Sequence, residues 1–94
     1  MTQTGRGAAT LTLLGKPDCH LCHQMHEVVA RVAGDYGLTV VERDVRDDPE
    51  TRRRYLLEIP VLLLADAELA RHRIAEDELR RRLDAQLAPR SASS

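Results

Sequence analysis

From Thr10 the chain runs Thr-Leu-Thr-Leu-Leu and halts at Gly15-Lys16-Pro17. So short an apolar run with few polar positions predicts a strand buried on both faces over 10–14. The period then changes. Leu21, Met25, Val28, Val29 and Val32 fall at i, i+4, i+7, i+8 and i+11, which predicts a helix from Cys19 that buries this stripe. Gly34 and Gly37 bracket its stop. His20, His23, Gln24, Glu27 and Arg31 fall mainly elsewhere on the wheel and read as a solvated face. Leu38 to Glu42 is β-branched and apolar, a second strand, and the strand–helix–strand unit implies a right-handed parallel crossover.

Asp44 to Asp48 reads as a charged loop. Asp48-Pro49-Glu50 opens a short helix, with a cap residue, Pro at the first position and an acid in the first turn. That helix ends near Leu57 and carries Arg52, Arg53 and Arg54 on a solvated face. Ile59-Pro60 followed by Val61 to Leu64 predicts a third strand with Pro at its entrance, where a missing N–H breaks no ladder. Ala65-Asp66-Ala67 is a weak turn because neither alanine suits positive φ. Glu68 to Arg73 returns as a polar edge strand. Glu76, Asp77 and Glu78 open a last helix whose buried stripe is Leu79, Leu83 and Leu87; Arg80, Arg81, Arg82 and Arg90 lie toward its negative end, and Pro89 stops it. The order is βαβαββα, for which a four-stranded mixed sheet with helices on both faces is the economical solution. Residues 1–9 read as a flexible lead-in, 10–88 as one domain and 89–94 as a frayed tail.

Composition narrows the function. The chain has 94 residues, 14 basic and 15 acidic, for a formal net charge of −1, so nothing in the overall charge favours nucleic acid or an anionic membrane. Phe and Trp are absent, and with Tyr36 and Tyr55 the only aromatic rings, base stacking is excluded as a mode of action. The first nine residues lack the apolar centre of a signal peptide, and no apolar run approaches the roughly 18 to 20 residues that span a bilayer. A soluble cytoplasmic protein is therefore expected.

The chemistry gathers at Lys16-Pro17-Asp18-Cys19-His20-Leu21-Cys22-His23. Two cysteines three apart do not make a secreted disulfide framework. At a helix N-terminus, unpaired N–H groups and the macrodipole favour an anion, and the thiolate is the nucleophile of disulfide exchange. The second cysteine, one turn on, is placed to attack a mixed disulfide. His20, beside Cys19 and partly protonated, favours the thiolate. Two other readings use the same residues. Cys19-His20-Leu21-Cys22-His23 matches a c-type haem attachment pattern, which the surrounding βαβ unit and the closeness of Met25 oppose. Cys19 with His23 and Cys22 with His26, each four apart, offer a zinc donor set, although one straight helix does not readily wrap a tetrahedron.

With these residues in view, the chain resembles the glutaredoxin-like branch of the thioredoxin fold. It is most similar to small bacterial proteins whose motif reads Cys-His-Leu-Cys and whose later strand opens with a hydrophobic residue, Pro and Val. The resemblance rests on Lys16 to Cys22 and Ile59-Pro60-Val61 and covers about Thr10 to Leu87. It implies a small thiol–disulfide oxidoreductase acting on protein or low-molecular-weight disulfides, with Cys19 attacking and Cys22 resolving. It further implies a cis Pro60 against the cysteine pair, an Ile59 backbone that pairs with an extended peptide or glutathione, and a Lys16 that holds a glutathione carboxylate. His20-Leu21 stand where typical glutaredoxins have Pro-Tyr, and Ile59 where they have Thr. Between Ala65 and Leu79 no counterpart stands of the glutaredoxin Gly-Gly turn and of the polar pair that grips the glutathione glutamyl group, which weighs against glutathione as a co-substrate. A monomer is expected, with no resident metal or cofactor and with glutathione or a thioredoxin-reductase system as reductant. A non-catalytic binding module and a zinc or iron–sulfur carrier using the same cysteines are the alternatives.

Overall fold

A computed structural model describes residues 10–87. The element order is the one read from the sequence: β1 (Thr10–Gly15), α1 (His20–Tyr36), β2 (Thr39–Asp44), α2 (Pro49–Tyr55), β3 (Val61–Leu64), β4 (Ala67–Arg71) and α3 (Glu76–Leu87). One turn of 3₁₀ helix, Val45–Asp47, joins β2 to α2. The strand order is β2-β1-β3-β4. β1 runs parallel to β2 and antiparallel to β3, and β3 runs antiparallel to β4.

Side chains alternate across the sheet, as strand geometry requires, and so build two cores. Leu11, Leu13 and Leu62 face α1 and α3, where Met25, Val29, Val32, Leu79 and Leu83 meet them. Leu14 and Val61 face the other way, against Val45, Tyr55, Leu56 and Ile59. Helices therefore cover both faces, as the sequence predicts. β1, flanked on both sides, is the doubly buried strand expected of it.

β2 departs from expectation. It is an edge strand, and Val41 is 38% exposed. It also runs two residues further, because parallel pairing with β1 continues to Gly15 opposite Asp44. The charged loop expected from Asp44 to Asp48 contains Val45, which is fully buried and anchors the 3₁₀ turn in the second core. Asp44 caps that turn, accepting the Arg46 backbone N–H at 2.9 Å.

On α1, Cys22 and Ala33 are buried, and Leu21, expected in the stripe, is only half-buried. Gly34 lies inside the helix. Gly37 alone ends it, at φ 67°, and the next amide, Leu38 N–H, returns to the Ala33 carbonyl at 3.0 Å. α2 ends at Tyr55 rather than Leu57, and Asp48 is its N-cap, accepting from the Thr51 amide at 2.9 Å.

The β3–β4 turn overturns the reading of its alanines. Ala65 adopts φ 55°, because pairing of Leu64 with Ala67 leaves only two residues to reverse the chain. A bulge opposite Leu62 and Leu63 turns both Leu69 and Ala70 into the first core. On α3 the buried stripe is Leu79 and Leu83; Leu87 is 38% exposed. Arg80, Arg81 and Arg82 sit in the middle of the helix, not at its negative end. They bind acids there, Arg80 reaching Glu76 at 2.9 Å and Asp35 at 2.7 Å, while Arg81 and Arg82 hold Glu78. The lead-in 1–9, Pro89, Arg90 and the tail lie outside the described residues. Among those described, no helix is long and apolar enough to cross a membrane.

Candidate functional site

β1 ends at Gly15, the chain turns through Lys16-Pro17-Asp18, and α1 begins. Cys19 is the N-cap residue of α1, in extended conformation at φ −102° and ψ 109°. Its Sγ accepts the Cys22 backbone N–H at 3.1 Å, so a sulfur fills the place a serine or aspartate oxygen usually takes. Cys19 and Cys22 are joined as a disulfide with their Cα atoms 5.2 Å apart. Cys19 is half-buried, whereas Cys22 is 5% exposed. The reachable sulfur is thus the one at the helix start.

Cys22 packs directly over Gly15: a Cβ placed on Gly15 would lie 2.8 Å from Cys22 Sγ. The antiparallel register of β1 with β3 pairs Leu14 with Val61; continued by one residue it sets Pro60 opposite Gly15. The Ile59–Pro60 bond is cis, as the resemblance implies, and Pro60 is fully buried at the entrance to β3. Gly15 therefore lies against Cys22 and next in register to the proline.

Beside Cys22 opens a cleft of about 440 Å³, lined among others by Lys16, His23, Glu42, Asp44 and Asp47. Lys16 lies half-buried at its mouth, 3.9 Å from Asp18. The Arg46 side chain donates to both Asp44 carboxylate oxygens, at 3.0 and 2.7 Å. That hydrogen bonding, with the Arg46 amide, lowers the Asp44 pKa from 3.8 to about 2. The Asp44–Arg46 ion pair thus borders the cleft, whose lining carries the cations Lys16 and Arg43 as well as Glu42 and Asp47. His20 is exposed at the first helical position and makes no side-chain hydrogen bond or ion pair among the described residues. His23 is exposed, and His26 lies 3.0 Å from Glu42 on β2. With Cys19 and Cys22 bonded to each other, no group of three or more His, Cys, Asp or Glu side chains that could hold a metal ion is found among the described residues.

Cys19, Cys22 and Lys16 come together at one helix start, and Pro60 joins them through Gly15. Ile59 sits one residue beyond, half-buried in the second core. Sequence reasoning missed Gly15 as the seat of Cys22, and it missed the carboxylates at the end of β2. A signal for the latter was present: parallel β1 and β2 must end on the same side of the sheet, so whatever follows β2 borders the β1–α1 turn.

A four-stranded mixed sheet flanked by helices, a Cys-x-x-Cys disulfide capping the first helix and a cis-proline entering the third strand define a thioredoxin-fold protein with a dithiol site. Within that class the match is specific. The family described as "Glutaredoxin-like domain (DUF836)" matches residues 10–84, and the chain belongs to it. Among solved structures the chain is similar to the structural-genomics target protein XcR50 from X. campestris, with 32% identity over 84% of this chain and 99% of that one, at a TM-score of 0.69. It shares its fold with thioredoxin 1 from Thermosipho africanus TCF52B, at 17% identity over 83% of this chain and 93% of that one and a TM-score of 0.61. No curated protein matches the sequence.

Proposed function

We propose that the protein is a small thiol–disulfide oxidoreductase in which Cys19 attacks and Cys22 resolves. The observation that carries this reading is Cys19 itself: its sulfur caps α1, accepts a backbone N–H at 3.1 Å and is the more exposed of a bonded pair. A thiolate at that point is stabilised by unpaired amides and by the helix macrodipole.

In the reduced protein the Cys19 thiolate displaces one sulfur of a substrate disulfide. A Cys19–substrate bond forms, and the first substrate thiolate leaves and takes a proton. Cys22, deprotonated, then attacks the Cys19 sulfur; the second substrate thiolate leaves and is protonated, and the protein is left as the Cys19–Cys22 disulfide. Two electrons and two protons pass to the substrate, and a thiol reductant, glutathione or a thioredoxin-reductase system, returns them. The Ile59 backbone beside Pro60 is the edge on which an extended substrate lies. Lys16 supplies a cation for a substrate carboxylate such as that of glutathione, and His20 raises the thiolate fraction of Cys19. The chemistry is complete in one chain without resident metal or cofactor. A pair that cycles suits a reducing compartment such as the cytoplasm.

Pre-reduced protein mixed with excess hydroxyethyl disulfide should reduce one disulfide per chain. Cys22→Ser should stop at a mixed disulfide visible by mass, and Cys19→Ser should be inactive. Cys19 alkylation should have a midpoint below the ordinary thiol value of about 8.5, and His20→Ala should raise it. Wild-type turnover by Cys19→Ser, or an ordinary midpoint, defeats the assignment; an unmoved midpoint in His20→Ala removes only the histidine's part.

A further inference from the structure

The arginines of α3 are held by acids of the protein itself. Those of α2 are not so neutralised. Pro49, Arg52, Arg53 and Leu56 recur at i, i+3, i+4 and i+7, and with Arg46 and Leu57 they line a groove of about 490 Å³. Leu57 is 89% exposed, against 38% for Val41 and Leu87, the other large apolar side chains at the surface among the described residues. The Arg52 guanidinium makes no ion pair among the described residues, and Arg53 pairs only with Glu50, both groups about 70% exposed. The groove is a leucine rimmed by the guanidinium groups of Arg52 and Arg53, with that of Arg46 already held by Asp44.

Its position ties it to the cysteines. The 3₁₀ turn separates the two depressions: Asp44 and Asp47 border the cleft beside Cys22, and Arg46 borders the α2 groove. Leu56 packs into the core that also holds Leu14, Ile59 and Val61, and Leu57 stands two residues before Ile59.

We propose that this groove docks the segment flanking the disulfide in a protein substrate, and that the segment carries acidic residues around an aliphatic side chain. The inference rests on the thiol–disulfide reading above and adds the substrate class. Guanidinium groups take carboxylates through paired, directional hydrogen bonds. An aliphatic side chain laid on Leu57 removes both from water.

The test uses two peptides of equal length, each with one intramolecular disulfide, flanked on the same side by Asp-Leu-Glu or by Lys-Leu-Lys. Single-turnover reduction by pre-reduced protein is compared with that of hydroxyethyl disulfide. Wild type should reduce the acidic-flanked peptide about tenfold faster at low ionic strength, the gap closing as salt rises. The double variant Arg52→Glu/Arg53→Glu should reverse the order, and Leu57→Ser should slow the acidic peptide several-fold. Because the readout is a ratio between two substrates of one preparation, a partly folded variant cannot imitate reversal. Equal use of both peptides by a wild type that reduces hydroxyethyl disulfide overturns the docking inference and leaves the redox reading standing. So does preference for glutathione disulfide over both peptides, or a groove covered by a second copy, seen as a dimer that Leu57→Ser dissociates. Failure on hydroxyethyl disulfide and on both peptides defeats the redox reading and this inference with it.

Discussion

At Gly15 the absence of a single methyl group lets Cys22 sit over the end of β1. A Cβ there would meet Cys22 Sγ at 2.8 Å and Cys22 Cβ at 3.1 Å, closer than packed atoms tolerate, and Cys22 is a short, buried side chain with little room to yield. Gly15→Ala should cost about 1–3 kcal/mol of stability, the range of overpacked cores. It should also slow closure of the Cys19–Cys22 bond, both readable from thermal unfolding and from the rate at which the mixed disulfide resolves. Gly34 is the opposite case: it lies inside α1 with nothing within 4 Å of an added Cβ. Gly34→Ala should stabilise by roughly 0.5–1 kcal/mol by removing backbone freedom from the unfolded chain, and a lower melting temperature would contradict that account. The sequence offers these two glycines as equals, each near an element end. What separates them is a long-range contact to a sulfur in one case and open solvent in the other, and no local pattern carries that distinction.

At the scale of elements, legibility followed whether local chemistry or tertiary pairing set the boundary. The start of α2 was legible because Asp48-Pro49-Glu50 is self-sufficient: the cap carboxylate meets the Thr51 amide at 2.9 Å whatever lies across the fold. The end of β2 was not, because it depends on how far β1 runs beside it. Nor was the turn at Ala65, where strand register forces a positive φ that local propensity opposes. The 3₁₀ turn between β2 and α2 gives a pH prediction at this scale. Arg46 holds Asp44 at about 2 against an ordinary 3.8, and the Asp48 pKa is lowered by its hydrogen bonds from Thr51. Both groups bind fewer protons folded than unfolded in the interval between those values. Their contribution is therefore complete above about 4, declines as pH falls, and is gone below the folded values. Thermal unfolding should thus rise in midpoint from pH 2 to pH 4, and Arg46→Leu should bring the Asp44 carboxyl back toward its ordinary titration by NMR. An Asp44 titration unmoved by that substitution would show that the guanidinium is not its cause.

For the molecule as a whole, the larger of the two cores and the cysteine pair are built from different residues. The larger one, between the sheet and the α1–α3 pair, holds Leu79 and Leu83 fully buried. Tyr36 of α1 reinforces it by donating to Asp84 at 2.6 Å, and Arg82 donates to the Leu69 carbonyl on β4 at 2.8 Å. The helical periodicity of α3 disclosed two of its three leucines correctly; the third, Leu87, is 38% exposed in the last turn of the helix. The cysteine pair, by contrast, is seated on Gly15 and the α1 start, and α3 contributes no residue to the cleft beside Cys22. Stability and chemistry should therefore separate under mutation. Leu83→Ala leaves a cavity in the larger core and should cost about 2–5 kcal/mol, lowering the unfolding midpoint in a single cooperative transition. Below that transition the alkylation rate of Cys19 should match wild type, since Leu83 is not among the residues that line the cleft beside Cys22. A fall in Cys19 reactivity in the folded Leu83→Ala protein would mean instead that α3 sets the geometry of the α1 start through the shared core, and that chemistry and stability are coupled across this fold.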